Sequence, residues 1–267
     1  MIDTSYNNNI QTLAGVQSGQ LERLGSALAI NKASDDPSGL EIANQLQLRE
    51  DSLAQSLSNV NSGLAMSNIA QGGLKQQGSI LNDIHTKVLQ AMNGTTSEEG
   101  REAIANDIRK SLDQYDNIAS GTKYNNIELL KAKGDTTDDI SVVGEDGMVS
   151  MSKAETLSIS DDLRGFLDDF VTNPDSRNGM LEALKNGMDQ NAQLQSDFGS
   201  ASNQLESSGR GMLTSQTEIA KSKATVLDID YAEESSDFSK TNLMVQISMI
   251  VQSQSNAVQS RIVPLIS

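Results

Sequence analysis

Cysteine and tryptophan are absent from this 267-residue chain, and histidine occurs once. Without thiols there can be no disulfide, thiolate zinc site, iron–sulfur cluster or cysteine nucleophile. One histidine excludes every metal site that needs two. Aromatic residues are also scarce, with four Tyr and four Phe, and hydrophobic residues other than glycine reach only 36 %. Such a chain cannot fill a thick two-layer core; an elongated, mainly helical bundle that buries narrow stripes fits it better. Basic residues are few as well, 20 against 36 acidic ones, for a net charge of −16. Phosphate binding needs clustered cations, so nucleic acid is excluded as a partner. No run of about 18 apolar residues exists, and membrane insertion is not expected. Met1–Ile30 has no basic leader, and Asn, Gln, Ser and Glu interrupt its apolar residues. It does not read as a cleaved signal peptide, so export would need a route that leaves the N-terminus intact.

What is present is helical periodicity. Leu13, Leu21, Leu24, Leu28 and Ile30 recur mostly at three- to four-residue steps up to a break at Ala33-Ser34-Asp35-Asp36-Pro37. Proline in a first turn with Asp before it predicts a helix start. Beyond it Leu46, Leu53 and Val60 lie seven apart with Leu57 and Leu64 alternating, a coiled-coil-like seam interrupted by Glu50. Ile69, Leu74, Leu81, Ile84 and Leu89 continue the face to Met92. An unbroken helix from Leu40 would be roughly 80 Å long. Gly63, Gly72, Gly73 and Gly78 within it each cost about 1 kcal/mol relative to Ala, which suggests close approach of a neighbouring backbone. After the turn Asn93-Gly94-Thr95-Thr96, Thr96 with Glu99 resembles a capping box for a third helix carrying Ile104, Ile108, Leu112, Tyr115 and Ile118.

Residues 134–170 change character, with ten acids against two bases. Ile140–Val143 and Met148–Met151 around Gly144-Glu145-Asp146-Gly147 predict a small hairpin, followed by a short amphipathic turn with Leu163, Phe166, Leu167 and Phe170. The stretch reads as a solvated acidic outer face; no spacing in it resembles an EF-hand loop. From Asp175 the helical pattern resumes through Leu184, Met188, Phe198 and Leu205, able to pair antiparallel with the 46–64 seam. Arg210, between two glycines, is either a surface charge or one half of an intersubunit pair with an acid such as Glu98 or Asp113. In the last segment Met244, Val251, Val258 and Leu265 repeat at sevens, and Ile247 and Ile262 widen the face.

Both termini are amphipathic and nearly uncharged. A helix of about 25 residues is marginal alone in water, and a buried Leu, Ile or Met contributes roughly 1.5–3 kcal/mol only when a partner covers it. The termini have only each other and copies of themselves. Two readings stay open: ends that become helical in a self-assembled polymer, and a closed monomeric bundle whose core the ends complete.

At this point the residues match a family. Glu22-Arg23-Leu24-Gly25-Ser26-Ala27-Leu28-Ala29-Ile30-Asn31-Lys32-Ala33-Ser34-Asp35-Asp36, with Gly39, Ile42-Ala43-Asn44 and Asn61-Ser62-Gly63-Leu64, resembles the N-terminal signature of bacterial flagellins. Ser120-Gly121-Thr122-Lys123-Tyr124-Asn125-Asn126-Ile127 is similar to the family turn after the second helix. Asp228-Ile229-Asp230-Tyr231-Ala232-Glu233-Glu234 and Ser253-Gln254-Ser255-Asn256 resemble its C-terminal signature. The resemblance implies terminal helices, here 1–36 with 227–267, lining the inner tube of a filament. It implies a helical rod from 37–133 with 173–226, and a reduced outer module at 134–172. Inner-tube contacts then fall on Leu13, Leu21, Leu24, Leu28, Ile30, Met244, Ile247, Val251, Val258, Ile262 and Leu265. The rod seam falls on Leu46, Leu53, Leu57, Val60, Leu64, Leu184, Met188, Phe198 and Leu205. Also implied are a homopolymeric extracellular filament serving motility, export without leader cleavage, an export chaperone, a filament cap and hook-associated proteins.

Three departures stand out. The segment before Asp35-Asp36 is about two helical turns shorter than usual, so inner-tube contacts there should differ. Asn126 replaces a common glycine, but Asn tolerates positive φ and the turn should survive. Family members often carry an arginine-rich patch recognised by the innate-immune flagellin receptor; the matching stretch here has Asp83 and His85 in place of arginines, beside Leu89 and Gln90. Weak recognition is expected. No nucleophile–base pair, glycine-rich phosphate loop or metal cluster stands in the sequence, so neither catalysis nor a cofactor is expected. The alternative function is a hook–filament junction protein or a secreted flagellin-like effector.

Overall fold

The computed structural model describes residues 2–131, 140–144, 147–151 and 154–266, and divides into two units, Met1–Ser52 with Gln216–Ser267 and Leu53–Ser215. The fold is mainly α. Among the described residues six helices run in order, α1 (Ile2–Ser26), α2 (Pro37–Met92), α3 (Glu98–Gly121), α4 (Leu157–Arg164), α5 (Pro174–Leu227) and α6 (Tyr231–Ile266). The described residues between α3 and α4 form the short strands β1 (Lys123–Tyr124), β2 (Ile127–Glu128), β3 (Leu130–Lys131), β4 (Ile140–Gly144), β5 (Gly147–Met151) and β6 (Ala154–Glu155). They form three two-stranded ladders, β1–β2 and β4–β5 antiparallel and β3–β6 parallel.

Both long helices begin at an Asx–Pro step. Asp36 Oδ1 accepts from Ser38 N at 3.0 Å and Asn173 Oδ1 accepts from Asp175 N at 2.9 Å. Each satisfies a backbone donor that the first helical turn leaves free, and the proline at the next position has no N–H to satisfy. α2 then runs 56 residues without interruption. The cap of α3 is Ser97, whose side chain accepts from Gly100 N at 3.1 Å, not Thr96. Thr96 instead donates its hydroxyl to Gln90 O at 2.8 Å; two adjacent hydroxyls compete, and the turn geometry gives the earlier one to α2. Asn125 and Asn126 sit at φ 46° and 66° and close the β1–β2 turn, the paired left-handed conformation a two-residue hairpin needs. The asparagine at 126 does adopt the positive φ expected of a glycine.

In the second unit α2 and α5 pair antiparallel, as Ser67 Oγ bonds Phe198 O at 2.9 Å and Asn191 Nδ2 bonds Leu74 O at 3.2 Å. Leu53, Val60, Phe198 and Leu205 are buried along this line, while Leu57 and Leu64 are half-buried. Leu184 and Met188, read from periodicity as part of the same seam, lie further along the α2–α5 pairing, beside the later turns of α2 and away from 46–64. They join Leu81, Ile84 and Val88 of α2, Ile108, Leu112 and Tyr115 of α3, and Ile159 and Leu163 of α4 in one apolar cluster. Leu167 and Phe170 belong to it too. Ile159, Leu163, Leu167 and Phe170 are therefore core, although their acidic and exposed neighbours grouped them with a solvated outer module. Arg164 fixes this segment to α3 through Asp113 at 2.9 Å and Asp116 at 2.7 Å.

The glycines of α2 only partly match expectation. A Cβ on Gly63 would lie 2.7 Å from Val142 Cγ2, and one on Gly73 would lie 2.5 Å from Thr122 Oγ1, but Gly72 faces open space. What approaches is side chains, not a neighbouring backbone.

Candidate assembly surface

The first unit contains both termini. α1 and α6 meet antiparallel, fixed where they join the rest of the chain. Arg23 donates through Nε and Nη2 to Glu234 Oε1 at 2.9 and 2.7 Å. Leu28 pairs with Asp228 in an antiparallel bridge, and Ala29 N donates to Leu227 O. These backbone bonds end α1 at Ser26, with Ala27 turned to φ 59°. Leu28 and Ile30, assigned from periodicity to the terminal helix, thus lie beyond it in an extended connector. Ile30 is buried there beside Gly39. Asp35 shapes the same connector: its Oδ2 accepts from Asn31 N at 3.0 Å and Lys32 N at 3.1 Å. Those bonds hold its carboxyl below the usual carboxylate range, the Asn31 N–H contributing most.

The termini are helical in the single chain, where the first of the two readings expected helix only in an assembly; they lean on each other. The contact is narrow. Gln20, Thr241 and Val245 are buried, and Leu13 and Leu24 are half-buried. Leu21 remains 61 % exposed and Ile247 58 % exposed, and Val16, Met244, Val251 and Val258 are exposed too. So are Leu243, Met249 and Ile250, which the seven-residue repeat did not pick out. Consecutive positions from 243 to 251 point apolar side chains in every direction, so α6 has no single apolar face; the density of apolar residues, not their period, was the available signal. The side chains of Ile262 and Leu265 lie outside the described residues. Contiguous exposed apolar surface of this kind marks an interaction site.

Asp83, Leu89 and Gln90 are exposed on α2, whereas His85 is half-buried and lines a groove with Leu181, Lys185 and Met188. The helix period places Asp83 with Gln90 on one strip and His85 with Leu89 on another. Arg210 lies on an unbroken α5, exposed and 3.5 Å from Glu206 of the same helix. Among the described residues no group of three metal-ligating side chains occurs, and no helix is long and apolar enough to cross a membrane.

Residues 2–135 match the bacterial flagellin N-terminal helical region, and residues 181–266 match the bacterial flagellin C-terminal helical region. The chain belongs to the bacterial flagellin family. A flagellar filament 30.7 kDa core protein of Treponema maltophilum is 24 % identical to it over 93 % of this chain and 92 % of that one. Two solved structures share the fold. Bacillus cereus flagellin aligns at TM-score 0.52 with 18 % identity, over 58 % of this chain and 88 % of that one. A putative flagellar hook-associated protein from Vibrio parahaemolyticus aligns at TM-score 0.65 with 15 % identity, over 73 % and 100 %. Because flagellin and hook-associated protein both match in fold, fold does not separate them; the two terminal family matches, with the near full-length likeness to a filament core protein, favour flagellin.

Proposed function

We propose that this flagellin is a structural subunit of the bacterial flagellar filament, polymerising through α1 and α6. The observation that carries the reading is the exposed apolar surface on the two terminal helices. In this reading copies of the chain cover Leu21, Met244, Ile247, Val251 and Val258 in an inner tube. The helical rod packs around it, and the acidic hairpin segment faces solvent, where its charge keeps filaments apart. The filament stands outside the cell, and the chain reaches it without loss of its N-terminus. An export chaperone and a filament cap act on it before and during assembly, and hook-associated proteins carry the filament's base. The chain has no catalytic role. Asp83 and His85 in place of arginines weaken recognition by the innate-immune receptor. Strong receptor activation by purified protein, abolished by changing Leu89 or Gln90, would refute that last point.

Two variants test the main reading. Removal of Met244–Ser267 should leave a soluble protein with the helical circular dichroism of α2–α5 and no capacity to polymerise. Ile247→Asp in the full chain alters a side chain that is already exposed, so it should fold normally and fail to form filaments on salting-out. Filaments of normal appearance in electron micrographs of either variant would sink the reading.

A further inference from the structure

Three Asn-Gly pairs occur in the chain, Asn93-Gly94, Asn178-Gly179 and Asn186-Gly187, and the fold treats them differently. The last two lie inside α5, where each glycine N–H belongs to the helical hydrogen-bond ladder. Their Cα atoms are also packed: a Cβ would meet the Phe166 ring at 2.7 Å and Ile159 at 2.6 Å. Asn93-Gly94 stands instead in the exposed turn between α2 and α3, with open space around Gly94. Among the described hydrogen bonds the Gly94 N–H donates to none. The Asn93 side chain folds back over this peptide, and its Oδ1 accepts from both Thr95 N at 3.1 Å and Thr95 Oγ1 at 3.0 Å. The turn is held closed by Thr96 N to Asn93 O at 3.0 Å and by Arg101 Nε to Ala91 O at 3.1 Å.

We propose that Asn93-Gly94 is a self-modification site, deamidating through a cyclic imide with Thr95 polarising the amide that reacts. Hydroxide removes the Gly94 amide proton, and the nitrogen attacks Asn93 Cγ. As that N–C bond forms, the carbonyl electron pair moves onto Oδ1, where Thr95 N–H and O–H already point. Collapse of the tetrahedral centre breaks the Cγ–Nδ2 bond and releases ammonia, protonated by water. Water then adds to either imide carbonyl and opens the ring to aspartate or isoaspartate. The sequence is hydrolysis throughout and needs no oxidant or cofactor. Two donors aimed at the oxygen where charge develops are the arrangement that stabilises such an oxyanion, and glycine offers no Cβ to hinder the attack. In α5 the same attack would require opening the helix.

The product puts a new negative charge just past the C-terminus of α2, where the helix dipole disfavours it. In the isoaspartate form it also adds a methylene to the backbone of the turn. Each chain thereby acquires a covalent record of its age at one position. The reading is independent of whether the chain polymerises.

The test is incubation of the purified full-length protein in mildly alkaline buffer at body temperature, followed by peptide mass mapping, ammonia release and isoaspartate-specific methylation. Asn93 should convert while Asn178 and Asn186 persist. Thr95→Val should slow conversion by about threefold or more, since one of two oxyanion donors is lost, and Gly94→Ala should slow it further. In concentrated urea the three pairs should convert at similar rates and Thr95→Val should match the parent, which separates the role of the turn from that of the dipeptide. Equal rates at the three pairs in the folded protein, or an unchanged rate in folded Thr95→Val, would overturn the proposal.

Discussion

Gly72 and Gly73 are neighbours in α2 with opposite surroundings, and the contrast isolates what a glycine costs from what it permits. At Gly72 a methyl group would enter open space, so Gly72→Ala should stabilise the protein by about 0.5–1 kcal/mol through helix propensity and a less disordered unfolded chain. At Gly73 the same methyl would lie 2.5 Å from Thr122 Oγ1 and 3.1 Å from Leu130 Cδ1. Thr122 cannot move freely, because its hydroxyl donates to Ile118 O at 2.6 Å. Gly73→Ala should therefore destabilise by about 1–3 kcal/mol; urea unfolding of the two variants side by side checks both signs. Asp35 makes a prediction in pH instead. Its folded-state pKa lies below that of the unfolded chain, so its bonds to Asn31 and Lys32 add stability above the ordinary carboxylate range. That stability is lost as pH falls through the depressed value. The difference in melting temperature between the parent and Asp35→Ala should be small but resolvable at neutral pH and should close in acid. A difference that persisted in acid would show that the carboxylate is not what holds the connector.

The α2–α3 corner joins two helices through the five residues 93–97, the last of them the cap Ser97. Ser97→Ala should cost about 1 kcal/mol, the usual penalty for losing an N-cap, and should lower the thermal midpoint without changing helix content in the folded state. Helices of this kind were largely legible in the sequence. Ile104, Ile108, Leu112, Tyr115 and Ile118 gave α3 its stripe; the structure buries Ile108, Leu112 and Tyr115, leaves Ile104 and Ile118 half-buried, and adds Ala105 and Ala119 to the buried face. The β4–β5 hairpin was legible in its alternation and glycine turn. Three features were not, each for a physical reason. α1 stops at Ser26 because Leu28 pairs with Asp228, a contact between residues far apart in sequence. Ile159, Leu163, Leu167 and Phe170 enter the core although acids crowd them, because every charged side chain there can point outward while Leu163 and Phe170 point in. Ser67, Gln77 and Asn191 are buried between helices; their hydrogen bonds to Phe198 O, Tyr115 O and Leu74 O depend on which carbonyls happen to face them. The exposed apolar surface of α6 was half legible: the seven-residue repeat with Ile247 beside it picked out Met244, Ile247, Val251 and Val258 but passed over Leu243, Met249 and Ile250, which follow no repeat.

Burial is distributed unequally along the chain. Leu53–Ser215 contains a continuous apolar cluster with Tyr115, Phe170, Leu112 and Leu184 fully buried. The terminal unit buries few large apolar side chains, Ile30, Ile219 and Val245 among them, and leaves many more on α1 and α6 exposed. Local stability follows buried apolar contact, so amide exchange in dilute, low-salt solution should be slowest in α3 and in α2 around Leu81–Val88. It should be fast in α1 and through the second half of α6. On polymerisation those terminal amides should become slow, because each apolar side chain newly covered adds roughly 1.5–3 kcal/mol to the cost of opening the helix. A net charge of −16 opposes that step, and salt screens the repulsion beyond about 10 Å at 0.1 M. Raising ionic strength should shorten the lag before filaments appear and should slow terminal exchange in parallel, with the core amides unaffected. If the dilute chain protected α1 and α6 as strongly as α3, the closed-bundle alternative would gain and the exposed side chains of α6 would need another explanation. If salt promoted filaments while terminal exchange stayed fast, polymer contacts would have to lie on the rod and not on the terminal helices.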